Sequence, residues 1–216
     1  NAGIVGPSRT YAENTVGTYN LFQACADLGV RRIVNGSSGQ VYGFGDSPPV
    51  YVPVDEDHPL RPINSYAVSK IAGEAAADYF SKRYGMTILS FRIMATRSPE
   101  RLPAEIAELA RAPETGTFLL WTRADARDCA IACRLAIEAP APAPGPYNVT
   151  GAVVLREETM SLIQRYFGSR TKVRSPIAGH ASPLSCRKAE REFGYSPRFL
   201  WSEDVRHPIT KTNRSI

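Results

Sequence analysis

Segments with helical periodicity alternate with short apolar segments along this chain, and this alternation limits its fold more than any other feature. Residues 86–92 are apolar almost throughout, as expected for a strand that helices cover on both faces of a parallel sheet. Asn14 is a candidate N-cap for the first helix. The sequence therefore predicts an α/β fold with a parallel sheet. The predicted helices are 14–28, 65–84, 104–110, 125–139, 157–167 and one from 188 that Gly194 and Pro197 stop, and the predicted strands are 30–35, 86–92, 117–121 and 147–150.

The length of 216 residues allows one sizeable core. The hydrophobic fraction of 43% and the charged fraction of 22% are ordinary for a globular protein, and no apolar run is long enough for a membrane span. No signal peptide is visible, so we expect a cytoplasmic protein without a membrane partner. The four cysteines lack metal-site spacing and the three histidines are far apart in the sequence, so no metal site is predicted.

The formal net charge of +5 could serve nucleic acid or anionic small molecules. The arginines are scattered, however, and the segment 170–174 is the only short basic cluster. A solvated surface is the simpler explanation of that cluster. Nucleic-acid binding is therefore not expected.

A tyrosine and a lysine at positions i and i+4, Tyr66 and Lys70, are predicted to share one face of the helix 65–84. An ammonium beside a phenol favours the phenolate, which makes the phenol a usable acid/base. A serine hydroxyl from the segment 37–43 can hold a substrate oxygen while the tyrosine takes or returns its proton. The spacing alone occurs by chance in many chains, and the serine segment makes the pair far more specific.

Several motifs occur in one order along the chain: Ala2-Gly3, the N-x-x-G-T-x-N pattern at 14–20, the serine segment 37–43, the stretch 53–59, Tyr66 to Lys70, and the stretch 188–197. Together they resemble the NAD-dependent epimerase/dehydratase family of extended short-chain dehydrogenases/reductases. The resemblance implies a Rossmann-like sheet formed by 1–95 and 117–151. It also implies a small substrate-binding or lid region formed by 96–116 and 152–216.

The same resemblance implies roles for individual residues. Ser38, Tyr66 and Lys70 would be catalytic, with Lys70 also holding the nicotinamide ribose of NAD or NADP. Tyr66 would also contact the cofactor, and further cofactor contacts would come from Ala2, Gly3, Asn14, Ser37 and Ile93. The substrate, a sugar-like small molecule, would contact Ser38, Gly39, Gln40 and Arg92. Arg92 could equally be structural, paired with a carboxylate. Family members commonly form homodimers through the helices that correspond to 14–28 and 65–84.

The sequence departs from the family pattern at its start, because the Gly-rich turn that cradles pyrophosphate does not occur in it. The segment 36–43 mimics the spacing of that turn, but the residues after it, Phe-Gly-Asp-Ser-Pro-Pro, cannot open a helix. We expect that the sequence starts partway through a longer polypeptide, by roughly two βα units of a doubly wound fold. We also expect weak NAD(P) binding by these 216 residues alone in calorimetry.

Two further departures concern the reaction. Family dehydratases carry an acid after the catalytic Ser or Thr, whereas this chain has Gly39 and Gln40, which favours oxidation/reduction or epimerisation over elimination. Ala95 stands where nucleotide-sugar enzymes usually carry Asn, and the connection to Thr117 is short. A free sugar or uronic acid is therefore favoured over a nucleotide-diphosphate sugar. A non-catalytic cofactor-sensing scaffold and an inactive fragment stay open as alternatives.

Overall fold

The computed structural model describes residues 6–204 and a short strand at 209–210. The helices are α1 (Pro7–Asp27), α2 (Ser65–Tyr84), α3 (Leu102–Arg111), α4 (Ala126–Glu138), α5 (Thr159–Tyr166) and α6 (Arg187–Phe193). The strands are β1 (Arg32–Ser38), β2 (Tyr51–Val52), β3 (Thr87–Ile93), β4 (Thr96–Arg97), β5 (Ala124–Asp125), β6 (Gly145–Val149), β7 (Lys172–Val173), β8 (Phe199–Leu200) and β9 (Ile209–Thr210). Short 3₁₀ turns lie at Gly39–Tyr42, Pro113–Leu119 and Gly168–Arg170.

Strands β1, β3 and β6 form a parallel sheet in the order β1-β3-β6, which confirms the predicted α/β fold with a Rossmann-like sheet. The register places Ser38 opposite Ile93, and Arg92 opposite Asn148. Because the strands are parallel, their carboxyl ends lie at one edge of the sheet, which is where ligands bind in open α/β folds. We call this edge, with the first turns of α2, the carboxyl edge.

Helix α2 has the predicted bounds because both of its ends are encoded locally. The side chain of Asn64 accepts a hydrogen bond from the amide of Ala67 at 2.8 Å, which caps the start. Gly85 has a positive φ of 64° and ends the helix. The helix packs against α1, β1 and β3, with Phe22 and Phe80 edge-on at a centroid distance of 5.7 Å.

Two local predictions were wrong. Helix α1 begins at Pro7 with Gly6 as its N-cap, so Asn14 lies inside the helix and does not cap it. The segment 117–121, predicted as a strand, contains the end of a 3₁₀ turn, and the two residues after that turn, Leu120 and Trp121, have positive φ. The indole of Trp121 is fully buried and donates to the carbonyl of Pro113 at 2.7 Å. Short apolar runs mark burial, and they do not by themselves distinguish a strand from a buried turn.

One buried cluster joins both parts of the predicted division into domains. It contains Tyr42 and Met94 from the predicted sheet region, and Leu102, Leu162 and Trp201 from the predicted lid region. The two regions thus share one core, and the assignment of 96–116 and 152–216 to a substrate-binding or lid region stays a prediction about function. Across the described residues, no helix combines the length and apolarity that a membrane span needs.

Candidate active site

The serine segment turns sharply at the end of β1. Ser37 and Ser38 are buried, and the Ser38 Oγ accepts a hydrogen bond from the amide of Gln40 at 3.2 Å. A hydroxyl that accepts in this way still has its own proton to donate. Gly39 packs tightly, since a Cβ there would lie 2.6 Å from the Met94 Cε. The turn thus presents Ser38 with a free donor at the carboxyl edge.

Tyr66 and Lys70 occupy the first turns of α2 on one face of the helix. The Lys70 Nζ lies 5.5 Å from the centroid of the Tyr66 ring and donates to the carbonyl of Gly36 at 2.7 Å. Burial lowers the pKa of Lys70. Tyr66 is half-buried, and its hydroxyl makes no hydrogen bond among the described residues. Lys70 therefore ties the start of α2 to β1 and leaves the phenol free to act.

Asn14 contacts the same turn of α2 from helix α1. Its Nδ2 donates to the Ser69 Oγ at 3.0 Å, and that hydroxyl donates to the carbonyl of Tyr66 at 2.7 Å. The side chain thus supports the backbone that carries Tyr66. Of the other expected cofactor contacts, Ile93 lies opposite Ser38 at the end of β3, whereas Ala2 and Gly3 lie outside the described residues.

Arg92 does not face open space. It is 3% exposed, and its guanidinium donates to both carboxylate oxygens of Glu74, at 2.9 and 2.7 Å, and to the Tyr42 hydroxyl at 3.0 Å. It also donates to the carbonyl of Glu56 at 2.9 Å. Of the two roles that the sequence left open, these contacts support the structural one, and the predicted substrate contact of Arg92 has no support here.

Glu74 is a residue of this region that the sequence reasoning missed. Its Oε1 also accepts a hydrogen bond from the Ser37 hydroxyl at 2.6 Å. The Tyr42 hydroxyl continues the chain by donating to the Asn148 Oδ1 at 2.7 Å. We call Ser37, Glu74, Arg92, Tyr42 and Asn148 the buried network. Glu74 follows Lys70 by four positions on α2, and this spacing is the signal that could have identified it.

The groups at the carboxyl edge fit the nicotinamide end of a dinucleotide. The Lys70 ammonium has three N–H donors and uses one in the hydrogen bond to the Gly36 carbonyl, so two are left for ribose hydroxyls. Ser38 and Tyr66 offer one free hydroxyl proton each toward a reacting oxygen. Burial of Arg92 in its own network keeps that cation away from this set.

The sequence model of the NAD dependent epimerase/dehydratase family matches residues 1–150. The chain belongs to the NAD-dependent epimerase/dehydratase family. This confirms the family that the ordered motifs predicted. The family is NAD(P)-dependent, and its solved members share the Rossmann-like fold seen here.

Individual relatives differ in their reactions. The chain is 29% identical over 178 residues to the L-arabinose 1-dehydrogenase (NAD(P)(+)) of Haloferax volcanii, covering 75% of this chain and 66% of that protein. It is 42% identical over 74 residues to the UDP-glucose 4-epimerase of Mycolicibacterium smegmatis, covering 34% of this chain and 22% of that protein. The chain thus spans between 22% and 66% of the length of these two relatives.

A solved structure shows the same fold over most of the chain. It is a short-chain dehydrogenase/reductase superfamily protein from Agrobacterium tumefaciens with bound NAD, with a TM-score of 0.63 and 23% identity. The superposition covers 93% of this chain and 73% of that one. At this identity the likeness shows the fold alone.

Proposed function

We propose that this protein is an NAD(P)-dependent oxidoreductase or epimerase that acts at a carbinol carbon of a sugar-like substrate, with Tyr66 as the acid/base. The observation that carries the proposal is the placement of Tyr66. Its free hydroxyl shares a helix face with Lys70, which is anchored to Gly36 at the carboxyl edge. Ser38 supplies a donor at the same edge.

The chemistry of each residue follows from these contacts. When bound, the nicotinamide accepts or returns a hydride at the substrate carbon. Tyr66 takes the hydroxyl proton, and the ammonium of Lys70 stabilises the phenolate that results. Ser38 donates to the reacting oxygen, while Lys70 holds the ribose hydroxyls. Asn14 fixes the turn that carries Tyr66, through Ser69.

We further propose a free sugar or uronic acid as the substrate, in a dehydrogenase reaction. Gly39 and Gln40 carry no acid that could assist elimination, and the Gln40 Oε1 is already engaged by Asn64 at 3.3 Å. The similarity to the L-arabinose 1-dehydrogenase extends over more of the chain than the similarity to the UDP-glucose 4-epimerase. A dehydrogenase releases NAD(P)H, whereas an epimerase returns the hydride to the same substrate.

The test is turnover by the full-length protein with sugars and either cofactor, followed by the absorbance of reduced nicotinamide. Replacing Tyr66→Phe is expected to lower kcat by about 10²–10⁴-fold, the usual contribution of a general acid/base, with cofactor affinity within about twofold. Tyr84→Phe is the matched control, because Tyr84 is the last residue of the same helix, at the end opposite Tyr66. Activity that survives Tyr66→Phe would remove the proposed role. Epimerised product without accumulation of NAD(P)H would show that the protein is an epimerase and not a dehydrogenase.

A homodimer is part of the same proposal. Helices α1 and α2 pack together and expose large apolar side chains: Tyr11, Val16, Tyr19, Leu21, Val68 and Tyr79. Large contiguous patches of exposed apolar side chains are typical of protein interfaces. The molar mass of the full-length protein from light scattering checks this state.

A further inference from the structure

Glu74 lies on the same face of α2 as Tyr66 and Lys70. Positions 66, 70 and 74 are each four residues apart, so the three side chains form one stripe along the helix. The Glu74 side chain is mostly buried and forms an ion pair with Arg92 at 2.7 Å. The stripe therefore runs from the acid/base pair of the proposed active site into the buried network.

Two successive turns of α2 hold the two residues that precede Ser38 in β1. The Lys70 Nζ donates to the carbonyl of Gly36 at 2.7 Å, and the Glu74 Oε1 accepts a hydrogen bond from the Ser37 hydroxyl at 2.6 Å. Ser37 is buried, and a hydroxyl has one proton to donate, so that proton is committed to Glu74. The orientation of Ser37 is thus fixed by α2, directly before Ser38.

The other end of the serine segment is held by the same ion pair. Arg92 donates to Glu74 with its Nε and Nη2, and to the Tyr42 hydroxyl with its Nη1 at 3.0 Å. Tyr42 is fully buried and is the last residue of the 3₁₀ turn that begins directly after Ser38. Ser38 therefore lies between two anchor points, Ser37 and Tyr42, and both depend on the contact between Glu74 and Arg92.

We propose that Glu74 is a positioning residue that fixes Ser38 relative to Tyr66. From the helix that carries the tyrosine, it holds one anchor point of the serine segment directly and the other through its arginine partner. A fully satisfied buried network makes its surroundings rigid. A catalytic group displaced by about 1 Å can cost about 100-fold in rate. The assignment rests on the proposed function, in which Ser38 donates to the reacting oxygen.

Tyr66 and Lys70 have anchors of their own that do not involve Glu74. The carbonyl of Tyr66 accepts a hydrogen bond from the Ser69 hydroxyl at 2.7 Å, and Lys70 donates to the carbonyl of Gly36. Loss of the Glu74 carboxylate is therefore expected to move the serine segment and to leave the acid/base pair in place. The effect on turnover should pass through Ser38.

The first kinetic test uses Ser37→Ala in the full-length enzyme, which removes one anchor point and keeps the ion pair of Glu74 intact. This variant is expected to lower kcat by about 3- to 10-fold, with the KM for sugar and for cofactor within about twofold. Ser90→Ala is the matched control, because Ser90 is a buried serine of β3 that accepts a hydrogen bond from Asn35 at 3.1 Å. An unchanged kcat in Ser37→Ala, or an equal loss in both variants, would overturn the assignment.

A double-mutant cycle shows whether the effect passes through Ser38. Glu74→Gln is expected to lower kcat by about 10- to 100-fold in the wild type, and by less than about threefold in Ser38→Ala, which has no hydroxyl left to position. Asp78→Asn is the control, since Asp78 lies one turn further along α2 in an exposed pair with Lys82. The same loss in both backgrounds would contradict the proposal. If Glu74→Gln does not fold, Ser37→Ala takes its place in the cycle.

Hydrogen exchange separates this proposal from the proposed function, because it requires no turnover. The amide of Gln40 donates to the Ser38 Oγ at 3.2 Å, so its exchange rate reports the order of the serine segment. In the full-length protein this rate is expected to rise by about tenfold in Ser37→Ala and to stay unchanged in Ser90→Ala. If no sugar is oxidised but this pattern holds, the proposed function fails and the positioning of Ser38 stands. If sugars are oxidised but the Gln40 amide exchanges equally in the wild type and Ser37→Ala, the positioning role fails.

Discussion

Two arginines of this chain are both buried and have opposite surroundings. Arg92 is 3% exposed and makes hydrogen bonds to Glu74, Tyr42 and Glu56. Arg123 is 8% exposed and makes one hydrogen bond, to the carbonyl of Thr122, among the described residues. The comparison teaches that burial alone does not tell what an arginine does. The number of hydrogen-bond partners inside the protein is more informative, because an arginine whose N–H groups are all paired internally has none left for a ligand.

Position in the fold explains the difference. Arg92 lies within β3, where α2 supplies Glu74 on one side and the 3₁₀ turn after β1 supplies Tyr42. Arg123 lies just before β5, beyond the end of the sheet, where α3 supplies one carboxylate for two arginines. A fully satisfied buried network of the first kind makes the surrounding structure rigid, whereas a partly satisfied one of the second kind is costly.

The largest effect is expected for Arg92→Met. Removing one member of a buried, hydrogen-bonded charge pair leaves Glu74 uncompensated, which typically costs about 3–5 kcal/mol in the free energy of unfolding. Chemical denaturation of the wild type and the variant measures this loss. Arg134→Met is the control, because its pair with Glu138 is exposed, and pairs of that kind contribute about 0.5 kcal/mol or less. A loss as small as that of the control would mean that the network does not stabilise the fold.

A smaller, pH-dependent effect is expected for His58, which packs edge-on against Tyr42 at a centroid distance of 5.5 Å. Its Nε2 accepts a hydrogen bond from the amide of Val50 at 2.9 Å, so the folded state needs the neutral ring. Burial lowers the pKa of His58. As the pH falls below about 6.5, the unfolded chain binds a proton that the folded chain does not, so stability decreases.

The measurement for His58 is the free energy of unfolding between neutral and mildly acidic pH. The wild type is expected to lose more stability over this interval than His58→Gln, which cannot titrate there. Parallel pH profiles of the two proteins would show that His58 does not couple folding to protonation.

The smallest effect on stability is expected for Arg123→Met. The side chain has an unpaired Nε and a shared carboxylate, so its removal relieves a buried charge while it loses one hydrogen bond. The expected change in the free energy of unfolding is within about 1 kcal/mol of zero. Denaturation under the conditions used for Arg92→Met checks it. A loss comparable to that of Arg92→Met would make the two arginines equivalent and remove the contrast between them.

The sequence predicted the elements whose ends are encoded nearby. Helix α2 was predicted with its observed bounds, because Asn64 and Gly85 act within one turn of each end. The start of α1 was predicted at Asn14, because Asn is a favourable N-cap residue. That preference does not show whether the residues before Asn14 are also helical, and the helix in fact begins at Pro7. The strand predicted at 117–121 was wrong, because the burial of Trp121 comes from aromatic neighbours such as Phe167, at a centroid distance of 5.4 Å, and these lie far along the chain.

The sequence by itself determined the family, the parallel α/β sheet and the shared helix face of Tyr66 and Lys70. These follow from motifs and spacings of a few residues, which fix the local backbone. Only the tertiary structure decided that Arg92 is saturated and Arg123 is not. The carboxylate partner of each arginine, Glu74 or Glu105, comes from a helix 18 residues earlier in the chain, and Glu74 pairs with one arginine whereas Glu105 is shared between two. Such pairing depends on how the elements pack against one another, and no local pattern contains it.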